Sequence, residues 1–291
     1  MESIPQQPFH NSQFLMVENI RIHARVWNSF QNKGQVLLVH GLGGSTYSWE
    51  ETATRLQREG YDVIAVDLPG FGYSDRALSF VHTQEKRAQL LWLFLDQLEE
   101  TVDPSWKNKQ WILAGHSMGG GTVAAMTVEQ QARTKAMVLV AGALFDSGSG
   151  VLPKLLYYPP AAKWMELFLD RFGSTEERIR NTLESANGGP LKEGQYEGYR
   201  APLMIRNTAA TWVRMVRTSA SLEDEAYEEI LVPVVGIWGD RDRWVPEMET
   251  ERIRIKIPHA RFVVIDGAGH LPMESHPKEF QEQLLFLLSS L

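Results

Sequence analysis

A chain of 291 residues with 43% hydrophobic and 22% charged content suits a globular protein with a sizeable core, as one large domain or a domain with an insertion. A net charge of −7 with no Lys/Arg-rich block argues against nucleic acid and anionic membrane as partners, and no run approaches the roughly 18 apolar residues of a membrane span. The absence of cysteine excludes a disulfide, a thiol nucleophile and a thiolate metal site, and the opening MESIPQQPFHNSQF lacks the basic-then-apolar order of a signal peptide, so a cytoplasmic location is expected.

Residues 1–12 are polar and proline-containing and read as a loose arm. Short strands are predicted over 14–18 and 20–27, the second alternating Ile20, Ile22, Ala24 and Val26. QVLLV at 35–39 reads as a buried strand running into His40-Gly41-Leu42-Gly43-Gly44, and 46–58 fits a helix closed by Gly60. DVIAV at 62–66 is the next buried strand. DLPGFGYSD at 67–75 follows it, then a helix over 83–98 with Ala88, Leu91, Leu95 and Leu98 on one face. The apolar run 111–114 is a strand broken abruptly by Gly115-His116-Ser117-Met118-Gly119, with a helix of small residues after it, and 136–140 is again strand. From 144 to 228 no strand-like run occurs. Helical patterns rich in Trp, Tyr, Phe and Met, such as 163–172 and 208–218, are punctuated there by Gly188-Gly189-Pro190. Strand character returns at 232–238. Pro246 opens a helix whose early Glu and late Arg and Lys suit its dipole, and Pro258 ends it. Residues 262–265 form the last strand, and a final helix from Pro277 carries the stripe Phe280, Leu284, Leu287, Leu288 and Leu291. Nearly all-apolar strands alternating with helices predict a mostly parallel α/β sheet covered on both faces. A helical insertion leaving the carboxyl end of a strand lies over the edge where sites form in such sheets.

The chemistry centres on Ser117. In a strand, G-x-S-x-G, helix context the serine occupies a sharp turn that exposes its hydroxyl at the sheet edge. An uncharged serine is a weak nucleophile and needs a base within reach. His270, in Asp266-Gly267-Ala268-Gly269-His270 just past the last strand, is placed to supply it; His259 and His276 read as surface residues. A carboxylate must hold the other imidazole nitrogen. Asp242 is preferred for this, Asp240 is expected to brace its own turn, and Asp146 is the rival from the preceding strand end. Oxyanion donors are expected from the N–H of Leu42, in a glycine-rich loop, and the N–H of Met118, at a helix start. His40 is expected to tie that loop down by a hydrogen bond. No H-E-x-x-H cluster and no dinucleotide fingerprint occurs, so neither a metal nor an organic cofactor is expected.

HGLGG, DLPGFGYSD, GHSMGGG, GDRDRWVP and GAGH, in this order and spacing, resemble the α/β-hydrolase superfamily over nearly the whole chain outside 144–228. The resemblance implies a mostly parallel eight-stranded α/β-hydrolase sheet with helices on both faces, formed by residues 1–143 and 229–291, under a helical cap at 144–228. It assigns Ser117 as nucleophile, Asp242 as acid, His270 as base, and Leu42 and Met118 as oxyanion donors, and makes 67–75 a structural loop. Dehalogenases and epoxide hydrolases of this fold have aspartate where Ser117 stands. Serine suits carboxylesterases, lipases, thioesterases, amidases, perhydrolases and C–C bond hydrolases. The expected function is a carboxylesterase-type serine hydrolase acting on small to medium apolar esters through an acyl-enzyme. The alternatives are a C–C bond hydrolase of meta-cleavage type, a lipase, thioesterase or perhydrolase, and, outside enzymes, a ligand receptor that retains the triad. Aromatic residues and methionines of the insertion suggest an apolar roof, with Trp164, Tyr196 and Trp212 as substrate contacts. The expected partner is a small ester, with the chain acting as a monomer or homodimer.

Overall fold

The structure, a computed structural model, describes residues 2–145, 165–166 and 175–289. Eight strands form one sheet: β1 (Ser12–Val17), β2 (Ile20–Trp27), β3 (Gln35–Val39), β4 (Asp62–Val66), β5 (Trp111–His116), β6 (Thr134–Val140), β7 (Val234–Gly239) and β8 (Arg261–Ile265). Their spatial order is β1-β2-β4-β3-β5-β6-β7-β8. β1 with β2 and β2 with β4 pair antiparallel, and every later pairing is parallel, so the sheet is mixed and mostly parallel as expected.

Burial follows the pleat. Leu37, Val39, Ile64 and Val66 enter the apolar cluster on one face, while Val36, Leu38, Val63 and Ala65 enter the cluster on the other. With both faces covered, β3, β4, β5 and β7 are buried at every position, whereas the edge strand β8 is buried only at Ile265. The first face is covered by α2 (Gln84–Thr101), α3 (Met118–Glu129) and α7 (Glu249–Lys256). The second is covered by α1 (Glu50–Arg58), the short α8 (Pro272–Ser275) and α9 (Pro277–Ser289). α9 buries Phe280, Leu284, Leu287 and Leu288, each worth ~1.5–3 kcal/mol relative to exposure. Between β6 and β7 the described elements are helical: α4 (Glu176–Asn187), α5 (Gln195–Leu203) and α6 (Thr208–Thr218). Of the helix predicted over 163–172, only 165–166 are described, and these are helical.

Three differences from the sequence reading have physical causes. The N-terminal arm is tied down rather than loose. Glu2 N–H donates to Met204 O at 3.0 Å, Arg206 N–H donates to Glu2 O at 3.0 Å, and Phe9 lies 4.0 Å beneath the Arg25 guanidinium. α2 buries more than one stripe, adding Leu90, Trp92 and Phe94, because it packs against β1 as well as α3, where Trp92 Nε1–H donates to Met126 O. α7 begins at Glu249 rather than Pro246. The preceding residues are held as loop by hydrogen bonds from Trp244 N–H and Val245 N–H to Asp242 and from Trp238 Nε1–H to Val245 O.

Candidate active site

β5 delivers Ser117 to the carboxyl edge of the sheet at φ 51°, ψ −120°, a conformation sparsely populated by any residue with a Cβ. The strain is held from three sides. Ser117 N–H donates to Val140 O at 3.0 Å, and Ser117 O accepts from Gly120 N–H at 2.8 Å and Ala143 N–H at 2.9 Å. The flanking glycines are steric necessities. A Cβ at 115 would stand 2.2 Å from Gly119 O, and one at 119 would stand 2.4 Å from Val39 O. Ser117 is partly exposed, and among the described residues its hydroxyl has no hydrogen-bond partner.

His270 and Asp242 meet as expected. His270 Nδ1–H donates to Asp242 Oδ2 at 2.8 Å, with both side chains buried. Asp242 Oδ1 accepts from Trp244 N–H at 2.8 Å and Val245 N–H at 3.0 Å, so the carboxylate cannot turn and the imidazole's Nε2 is left as its free acceptor. His116 Nε2–H donates to His270 O at 2.8 Å; burial holds His116 well below the usual imidazole range and therefore neutral. The insertion grips the same segment through its backbone, with Gly269 N–H donating to Asn187 O at 3.1 Å and Leu271 N–H to Ala186 O at 3.3 Å.

Among the described residues, Asp240, His259, His276 and His40 make other contacts. Asp240 does not brace its own turn but accepts Gly267 N–H at 2.7 Å, steadying the loop that leads to His270. Asp146 lies outside the described residues. His259 is exposed on Val232 O, and His276 bonds Ser275 Oγ. His40 Nδ1–H donates to Gly41 O at 2.7 Å while its Nε2 accepts Leu68 N–H at 3.0 Å, and burial lowers its pKa; the ring is a neutral brace for the loop, as expected. Asp67 joins the 67–75 loop to the rest by accepting Thr46 N–H, Tyr73 N–H and His23 Nδ1–H. Burial alone would push this carboxyl up, but the hydrogen bond and charge of His23 hold it below the usual carboxylate range. The N–H groups of Leu42 and Met118 find no acceptor among the described residues.

A cavity of about 210 Å³ opens on His116 and His270. Leu42, Trp244 and Leu271 line it from the core, and Ile179, Leu183, Tyr199, Leu203 and Trp212 from the insertion. Trp212 is therefore a wall residue. Tyr196 is not: its ring packs 4.4 Å under the Arg180 guanidinium instead, because its position on α5 faces α4 rather than the cavity. Trp164 lies outside the described residues, as do Tyr157, Tyr158 and Phe168. The sequence reading missed Trp244, two residues beyond the acid, and Glu274, four beyond the histidine. Glu274 is buried, accepting Tyr199 Oη–H on Oε1 and Gln195 Nε2–H on Oε2. Among the described residues no cluster of His, Asp or Glu is placed to hold a metal ion, and no helix is long and apolar enough to cross a membrane.

Comparison with known proteins agrees with this fold. The uncharacterized hydrolase YugF of Bacillus subtilis is 28% identical over 265 residues, covering 89% of this chain and 92% of its own. A 2-hydroxy-6-oxononadienedioate/2-hydroxy-6-oxononatrienedioate hydrolase of Escherichia coli is 24% identical, with 98% of both chains covered. A thermophilic esterase from Thermogutta terrifontis has the same fold, with a TM-score of 0.73, 22% identity and coverage of 96% of this chain and 98% of its own. The sequence model describing the alpha/beta hydrolase fold matches residues 34–277. With its sheet order, its elbow serine and that match, the chain belongs to the α/β-hydrolase fold family.

Proposed function

We propose that this protein is a serine hydrolase of small to medium apolar carboxylic esters, working through an acyl-enzyme. The observation that carries the reading is the buried 2.8 Å Asp242–His270 pair, whose imidazole lines an apolar cavity, in a chain whose Ser117 is held on a strained elbow. Ser117 Oγ attacks the ester carbonyl while His270 Nε2 takes its proton, and Asp242 stabilises the resulting imidazolium. The unengaged N–H groups of Leu42 and Met118 receive the oxyanion; loss of one such donor typically costs ~2.7–4 kcal/mol of barrier. His270 then protonates the departing alcohol and activates the water that releases the acid. Catalytic hydrogen bonds commonly tighten only around substrate, which fits a serine hydroxyl unengaged at rest. In this reading residues 144–228 are a cap and residues 1–143 and 229–291 the catalytic core, supported by a cavity walled from both.

The test is hydrolysis of p-nitrophenyl esters of graded acyl length, with Ser117→Ala expected to fall to background while keeping its circular dichroism spectrum. Full activity in that variant would end the proposal. One observation favours a second reading: the end-to-end match to a 2-hydroxy-6-oxononadienedioate hydrolase. Cleavage of vinylogous diketones without turnover of simple esters would move the assignment to C–C bond hydrolysis.

A further inference from the structure

A single hydrogen bond at Nδ1 leaves an imidazole able to tilt, and a small tilt carries Nε2 away from a hydroxyl it must meet. Among the described residues two rings pack on His270. His116 contacts it at 4.7 Å between centroids but tilted by 52°, whereas Trp244 stacks on it at 5.5 Å with only 21° between the planes. Trp244 is 44% exposed, so it contributes little to the apolar core, yet it is fixed at both ends. Its backbone N–H donates to Asp242 Oδ1 at 2.8 Å, and its Nε1–H donates to Ser185 Oγ of α4 at 3.3 Å.

We propose that Trp244 is a positioning residue for His270: its indole face sets the tilt of the imidazole, and its bond to Ser185 ties that tilt to the seating of the inserted helix α4. The role in turnover rests on the serine-hydrolase reading above; the stack itself does not. Among the described residues, the charged and titratable groups in contact with the pair are Asp242 and His116 of the core, and Arg178 lines the same cavity from α4. The Trp244 backbone N–H and the imidazole hold the two oxygens of one carboxylate, Oδ1 and Oδ2, so the half-exposed indole moves with the imidazole's own anchor. The pair therefore keeps its geometry when the loop shifts as a body.

The experiment compares the full chain with Trp244→Leu and Trp244→Phe. Misplacement of a reacting group by 1 Å can cost about 10²-fold, so losing one restraint on the ring is expected to lower kcat on a p-nitrophenyl ester about tenfold. KM should change by less than about threefold, and Trp244→Phe, which keeps a stacked ring, should recover most of kcat. A protonated imidazole quenches a stacked indole. The emission of the wild type minus that of Trp244→Phe should therefore show a pH-dependent step, and this step should vanish when His270→Gln is placed in both proteins. That readout needs no turnover. An inactive wild type that still shows the step overturns the esterase reading and keeps the stack. A missing step, a loss confined to KM, or equal kcat losses in the Leu and Phe variants overturns the positioning role.

Discussion

Glu274 offers the most quantitative prediction. Its carboxyl is buried on α8 among Tyr199, Gln195 and Ser48, with Lys192 near enough to matter; burial pushes its pKa from 4.5 up to about 7 against the pull of the Tyr199 and Gln195 donors. Above pH 4.5 the unfolded chain releases this proton, while the folded protein keeps it until about pH 7. Across that window the unfolded state binds fewer protons, so stability is fully present below pH 4.5, falls as pH rises, and levels off above about 7. At ~1.4 kcal/mol per pH unit the whole window is worth ~3 kcal/mol. Glu274→Gln cannot titrate. Its amide oxygen can accept from Gln195 while its N–H donates to the Tyr199 hydroxyl, so the variant is a reference that does not change with pH. Urea unfolding of both proteins should therefore show the wild type's advantage shrinking by ~2–3 kcal/mol between pH 5 and pH 8. An advantage that stays constant within ~0.5 kcal/mol, or that grows with pH, would refute the account of this buried carboxyl.

Further outcomes follow from the same geometry. Asp242→Asn should lower turnover by about 10⁴-fold while leaving the thermal midpoint nearly unchanged, since an amide keeps the shape and misdirects the imidazole tautomer. Gly119→Ala should destabilise by ~3 kcal/mol or more in chemical denaturation, because its Cβ would stand 2.4 Å from Val39 O, a backbone atom of a central strand that cannot yield. Leu284→Ala, emptying a site 3% exposed between α9 and the sheet, should cost ~2–5 kcal/mol by the same measurement. Tyr199→Phe removes a donor to the ionised Glu274, so the pH window above should extend further to the alkaline side.

What could be read from the chain was what local sequence carries. β3 and β4 fall at 35–39 and 62–66 as predicted because the continuous apolar runs 36–39 and 63–66, closely bounded by turn residues, admit little else. α6 falls at 208–218 because its pattern is helical throughout. Ser117, Asp242 and His270 could be singled out because glycines mark the turns that carry each of them. The rest depends on partners distant in sequence. Asn187 and Gly269 meet through peptide groups, which leave no side-chain signature, and the same holds for the anchoring of Glu2 on Met204 and Arg206. Trp244 looked like one aromatic among nine tryptophans, and its meaning came only from the ring it faces. Tyr196 was chosen by composition, which cannot tell the two faces of a helix apart when both carry aromatics.

The contact of residues 186–187 with 269–271 constrains how molecules pass in and out. A rigid lifting of α4 would either break two peptide hydrogen bonds or drag along the segment bearing the imidazole, so such an opening would disturb the geometry it was meant to serve. Any entry that keeps the imidazole in place must therefore leave this seam shut and run past the walls that do not touch Gly269, with the seam as doorpost and not as hinge.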